Sequence, residues 1–149
     1  LAPERLLRRM TVEAGGRISV EGQLRSYNNK SGQGSRLVIT AFARTLCRGG
    51  EEDCNEIRLS GVLCKPPVLR CTPLGREICD LMLAVNRSYG RADYIPCIAW
   101  GGLAEETSLL GVGDPLSFEG RVQSRLYHKM TPRGQEDRTA YEVSVMCLR

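Results

Sequence analysis

A pattern of eight residues occurs twice in the chain: Gly15-Gly-Arg-Ile-Ser-Val-Glu-Gly22 returns as Gly113-Asp-Pro-Leu-Ser-Phe-Glu-Gly120, and a similar strand follows each copy. Apolar residues alternate within each copy and a glycine closes it, so the same bent strand has to be built twice. The surroundings differ. A strand-rich stretch from Asn55 to Trp100 precedes the second copy, whereas only Leu1 to Ala14 precedes the first. The chain reads as one complete module behind the rear half of another.

With 149 residues there is room for one ordinary domain or two small ones, and the repeat favours two. We place the rear half of the first over 1–48, a linker over 49–54 and the complete domain over 55–149. The formal charge of +4 is unevenly spread, with nine Lys/Arg against three Asp/Glu in 1–48 and twelve against eleven in 55–149. Bulk charge alone therefore does not define a polyanion binder. Seven cysteines include no C-x-x-C pair, and His128 is the single histidine. They read as reduced cysteines, several serving as small apolar strand residues, with no metal or cofactor called for. There is no apolar run of about 18 residues and no recognisable signal peptide, so a cytoplasmic protein is expected. Leu1 is not a start methionine, and residues upstream of it are expected.

From Asn55 the pattern alternates, with Ile57, Leu59 and Leu63 on one parity and Glu56, Arg58 and Ser60 on the other. Thr72-Pro-Leu-Gly75 is a turn, after which Cys79, Leu81, Leu83 and Val85 alternate again. Tyr94 to Trp100 forms a third strand with Ile95, Cys97 and Ala99 inward and Tyr94, Pro96, Ile98 and Trp100 on the opposite face; Pro96 favours an edge or a bulge. Leu103 to Leu110 is a short helix that caps one end of a barrel. Leu116, Phe118, Gly120 and Val122 define a fourth strand, and a fifth runs from about Thr139 to Cys147. Lys129 to Asp137 between them reads as an exposed hairpin tip. Phe118 and Tyr141 share parity with core aliphatics and are assigned to packing.

Strand, strand, strand, helix, strand, strand is the order of an all-β, five-stranded Greek-key barrel of the oligonucleotide-binding (OB) type. In front of it, Leu1 to Met10 is expected to be an amphipathic helix, Ile18 to Leu24 and Leu37 to Ala41 mirror the last two strands, and Asn28 to Gly34 is their hairpin tip. Such a hairpin buries too little to stand alone, so upstream residues or another subunit must complete it.

Asn55-Glu-Ile-Arg-Leu-Ser-Gly61, Leu83-Ala-Val-Asn-Arg-Ser-Tyr89, the strand closing on Trp100-Gly101, Leu103-Ala-Glu105 and Phe118-Glu-Gly120 followed by Arg125 fall in one order and spacing. In them the chain resembles the bacterial single-stranded DNA-binding proteins, and Val20-Glu-Gly-Gln-Leu-Arg25 is similar to that family's rear half. The whole resembles a tandem version with two barrels in one chain. The resemblance implies a non-enzymatic, sequence-tolerant binder of single-stranded DNA that protects unpaired strands in replication, recombination or repair on the nucleoid. It also implies a homo-oligomer, either a dimer of tandem chains or a strand-exchanged assembly.

The aromatic positions on which that family stacks bases fall on Tyr89, Tyr94, Trp100 and Tyr127, half of the chain's eight aromatics. Arg70 and Arg125 match positions that are basic in the family, and Arg87, Arg91, Arg121 and Lys129 lie near the same track, where they would neutralise phosphates. Glu56, Pro96, Gly102 and Gln123 stand where the family tends to be basic. The competing reading is a protein-interaction module of a primosome-like assembly with weak nucleic-acid affinity. A catalytic reading fails for want of clustered carboxylates or a histidine constellation.

Overall fold

The computed structural model describes residues 1–31 and 36–149. One helical turn, α1 (Glu4–Leu7), precedes an antiparallel pair of strands, β1 (Ile18–Asn28) and β2 (Leu37–Arg48), which form a two-stranded sheet of their own. The second sheet contains β3 (Ile57–Leu63), β4 (Val68–Cys71), β5 (Glu77–Asn86), β6 (Ala92–Trp100), β7 (Pro115–Thr131) and β8 (Gly134–Leu148), with helix α2 (Gly102–Ser108) between β6 and β7. Its order is β3-β7-β8-β6-β5-β4, and β3 also pairs with β5. That extra pairing closes β3, β5, β6, β8 and β7 into the expected OB barrel, leaving β4 as an added edge strand.

Closure depends on strands that bend, and the glycines show where. A Cβ on Gly61 would lie 2.3 Å from the Ala84 carbonyl oxygen, at the point where β3 passes from β7 to β5. The two Glu-Gly pairs of the repeat mark β-bulges: register shifts between Glu21 and Gly22 in β1 and between Glu119 and Gly120 in β7. Each bulge leaves one residue of the partner strand unpaired, Arg44 in one and Met146 in the other, and sharpens the local twist. A Cβ on Gly22 would lie 2.0 Å from the Phe42 oxygen, and one on Gly120 would lie 2.0 Å from the Ser144 oxygen. The sequence repeat is thus a repeated bulge.

Leu59, Leu63, Leu81, Leu83, Ile95, Cys97, Phe118, Val143 and Val145 fill the barrel, and Ala104 of α2 plugs one end. Burying each of the larger apolar side chains contributes about 1.5–3 kcal/mol. The front hairpin packs Leu24 and Ile39 against this core beside Ile57, Val85 and Val122. A polar clamp fixes the contact. Asp93, fully buried at the start of β6, accepts the Ser26 N–H at 2.8 Å through Oδ1, and the Tyr94 N–H donates to Ser26 Oγ at 2.7 Å. The other oxygen, Oδ2, lies 2.9 Å from Arg87 Nε, close enough for an ion pair but without hydrogen-bond alignment. Arg17 holds the connection between the sheets through the Gly50 carbonyl and the Asp53 carboxylate, each at 2.8 Å.

Four expectations need correction. The front helix is one turn rather than Leu1 to Met10, because the backbone of Leu1 is bonded to β2: its N–H donates to the Ala41 oxygen and its oxygen accepts from Ala43 N, each at 2.8 Å. Pro3 then starts the turn. The segment Lys129 to Asp137 is not a loop: the β7–β8 ladder continues through Lys129↔Glu136 and Met130↔Gln135 to Thr131↔Gly134. Tyr141 is 54% exposed rather than packed, because the contact of β6 with β8, at Cys97↔Val143 and Ile98↔Ser144, starts only after Tyr141. Pro96 lies in an interior strand, paired with Met82 on β5; it is accommodated because the contact with β8 starts one residue later. The hairpin tip at Asn28 to Gly34 extends into residues 32–35, outside the described residues.

Candidate nucleic-acid interface

Paired residues in a β-ladder share a face, so the register decides which side chains stand together. Cys79, Leu81 and Leu83 point into the barrel, which puts Ile78, Asp80, Met82 and Ala84 of β5 on its outer face. Their partners on β6 are Trp100, Ile98, Pro96 and Tyr94, and Arg70 of β4 pairs with Ile78 from the other side. Ile98 meets Ser144 across the parallel contact, and Ser144 pairs with Arg121. Gln123, Arg125, Tyr127 and Lys129 then follow on the same face of β7, opposite Glu142, Ala140, Arg138 and Glu136. Seven of the ten expected site residues, Arg70, Tyr94, Trp100, Arg121, Arg125, Tyr127 and Lys129, therefore lie on one continuous outer face. It runs from the edge strand to the β7–β8 arm.

Arg87, Tyr89 and Arg91 occupy the short connection from β5 to β6. Arg87 is directed at the buried Asp93, whereas Tyr89 is fully exposed. Tyr89 has φ 67°, the one left-handed non-glycine residue among those described, and Gly90 follows with φ 73°. Two consecutive left-handed residues reverse the chain within a tight turn, and an exposed tyrosine in that conformation is a point of local strain. Tyr94 is 47% exposed, while Trp100 and Tyr127 are half-buried. Ile98, although on the outer face, is buried and forms the floor between the rings.

Several cations of this face are already engaged. Arg70 holds Asp80 through Nε at 2.6 Å and a second nitrogen at 3.3 Å, and the hydrogen bond to Asp80 raises the guanidinium pKa above its ordinary value. Arg125 Nε lies 3.5 Å from the buried Glu142, which also accepts from Gln123 at 3.1 Å. Arg91, Arg121 and Lys129 are exposed, with no carboxylate paired to them among the described residues. At the start of β5, on the parity opposite to Ile78 and Trp100, the Glu77 carboxyl is held above the usual carboxylate range by a hydrogen bond to Glu105 of α2 and by that neighbour's charge. Two features escaped the sequence reading. The Arg76 guanidinium lies over the Trp100 ring, 4.7 Å from its centroid, and Tyr141 lines a cleft of about 350 Å³ with Pro96, Arg125 and Tyr127.

A larger cleft of about 1040 Å³ lies between β1 and β3, away from the rings. The cysteines are all free. Burial pushes the Cys79 and Cys97 thiols up, which keeps them protonated and unreactive. No cluster of three or more metal-ligating side chains occurs among the described residues.

An OB barrel whose outer face carries aligned rings and cations belongs to the class of oligonucleotide-binding folds. The model of the single-strand binding protein family matches residues 54–148, and the chain belongs to that family, one of binding proteins rather than enzymes. It is 39% identical over 80 residues to the single-stranded DNA-binding protein B of Bacillus subtilis, covering 49% of this chain and 71% of that one. Against the single-stranded DNA-binding protein of Bacillus cereus the identity is 34% over 99 residues, covering 62% of this chain and 55% of the relative. The crystal structure of the wild-type single-stranded DNA-binding protein from Thermus aquaticus superposes with a TM-score of 0.68 at 30% identity, covering 89% of this chain and 57% of that one. The chain thus spans little more than half of the Bacillus cereus and Thermus proteins. No described helix is long and apolar enough to cross a membrane.

Proposed function

We propose that this chain binds single-stranded DNA without sequence preference, stacking bases on Tyr89, Tyr94, Trp100 and Tyr127 and holding phosphates with the cations around them. The single observation that carries this reading is the register that sets three of the four rings on one outer face, with the fourth at its margin. The names of the relatives support the ligand. Every base has a flat face, so stacking tolerates any sequence. Arg91, Arg121 and Lys129 are the cations most available to phosphates; Arg70 and Arg125 contribute from within their ion pairs, and Arg87, committed to Asp93, contributes least.

The front hairpin is the rear half of a second barrel, divided from the complete one at 49–54. Two observations support this: the shared bulge, and a likeness to the Thermus chain that reaches further than residues 54–148 alone could supply. Homo-oligomers would place several such faces on one strand, protecting cytoplasmic, nucleoid-associated DNA while it is unpaired in replication, recombination or repair.

Anisotropy of a labelled oligo-dT tests the reading. Trp100→Ala should weaken binding by about 1–3 kcal/mol while the melting curve is retained. Absence of oligo-dT binding by the parent chain at low salt would favour the protein-interaction module instead.

A further inference from the structure

We propose that Arg76 is a movable cover on Trp100, its guanidinium lying on the ring in the free protein and passing to a phosphate when a base takes that ring face. The inference rests on the reading of Trp100 as a stacking surface.

Arg76 follows the turn at Thr72 to Gly75, and its backbone is fixed there: its N–H donates to Thr72 Oγ1 at 3.0 Å and its oxygen accepts from Thr72 N at 2.8 Å. The residue is exposed. Its guanidinium stands 4.7 Å from the Trp100 centroid, within the range of a cation–π contact. Unlike Arg70, which Asp80 holds by two nitrogens, Arg76 has no carboxylate paired to it among the described residues. The ring is its partner.

A base in van der Waals contact with the ring would lie about 3.5 Å above it, in the space the guanidinium occupies. Both cannot use one face. A displaced guanidinium needs a new partner, and an arriving nucleotide brings one, since each base is tethered to a phosphate that Arg76 can reach from its anchored backbone. Arginine suits both states, because its planar cation stacks on rings and pairs with phosphate oxygens in a fork. The exchange has a signature. Removing Arg76 uncovers the ring, and at the same time deletes one salt-sensitive contact from the complex.

The test compares the full chain with Arg76→Ala and Arg76→Lys in two measurements: acrylamide quenching of Trp100 in the free proteins, and labelled oligo-dT affinity across a series of salt concentrations. Trp100 is the chain's single tryptophan, so its emission is unambiguous. Arg76→Ala should make Trp100 more accessible to acrylamide and reduce the slope of log affinity against log salt by about 0.7, the value for one phosphate contact on a single strand. Arg76→Lys should keep the slope, since a cation remains. An unchanged slope in Arg76→Ala, with binding otherwise intact, would overturn the proposal and leave Arg76 as a fixed prop for the ring. Unchanged acrylamide access would overturn it too, by showing the ring uncovered from the start. A parent chain that fails to bind oligo-dT would remove the DNA-binding reading as well, and is told apart from the other results by the parent alone.

Discussion

Replacing Gly120 by alanine is expected to destabilise the barrel by about 1–3 kcal/mol or more, the range for forcing a group into a filled site. The added methyl would lie 2.0 Å from the Ser144 carbonyl oxygen and 3.1 Å from its carbon, and both are backbone atoms of β8 that cannot rotate away. The bulge has to open, and with it the pairing of Gly120 with Val145 beside the buried Phe118. For a chain of this length each kcal/mol lowers the unfolding midpoint by about 2–4 °C. Gly102→Ala is the control, because a Cβ there meets nothing within 4 Å and the residue opens helix α2. Its midpoint should hold or rise slightly. Equal midpoints for the two variants would show that the bulge does not depend on glycine.

Arg87→Ala is expected to cost about 3–5 kcal/mol, the range for removing one member of a buried ion pair. Asp93 is wholly buried, and Arg87, 22% exposed, is the cation beside it. Without Arg87 the carboxylate keeps the Ser26 N–H as its hydrogen-bond donor, and the strain falls on the contact between the front hairpin and the barrel. Combining Arg87→Ala with Asp93→Asn should recover part of the loss, because the orphaned charge is then gone. Urea unfolding of the single and double variants measures this directly. A loss of less than about 0.5 kcal/mol, the scale of ordinary surface substitutions, would mean that the pair does not secure the fold. The salt slope of oligo-dT binding should change little, since this guanidinium is already committed.

The barrel was legible because its core strands are covered on one side, and alternation records that directly in Leu59, Leu63, Leu81, Leu83 and Ile95. The repeat was legible because a strand crossing so close to its neighbour admits only glycine at Gly22 and Gly120. Where the β7–β8 ribbon leaves the barrel, both faces meet water and alternation carries no inward direction. That is why Lys129 to Asp137 resembled a loop and why Tyr141 was misplaced. The short front helix was hidden by tertiary bonding: Leu1 is drawn onto β2 by hydrogen bonds that local propensity does not contain. The outward parity of Tyr94 and Trp100 could be read from the strand itself. The Asp93 clamp could not, because one of its partners, Ser26, comes from the other sheet. Arg76 was equally invisible, since only the β5–β6 register places the end of the Thr72 turn beside Trp100.

Trp100 emission during titration with unlabelled oligo-dT tests directly whether bases stack on the outer face. At low salt the emission should be quenched to a saturating limit, and added salt should restore it as phosphate contacts are lost. An oligonucleotide that shifts the protein on a gel while Trp100 emission stays unchanged would contradict the placement of bases on this ring.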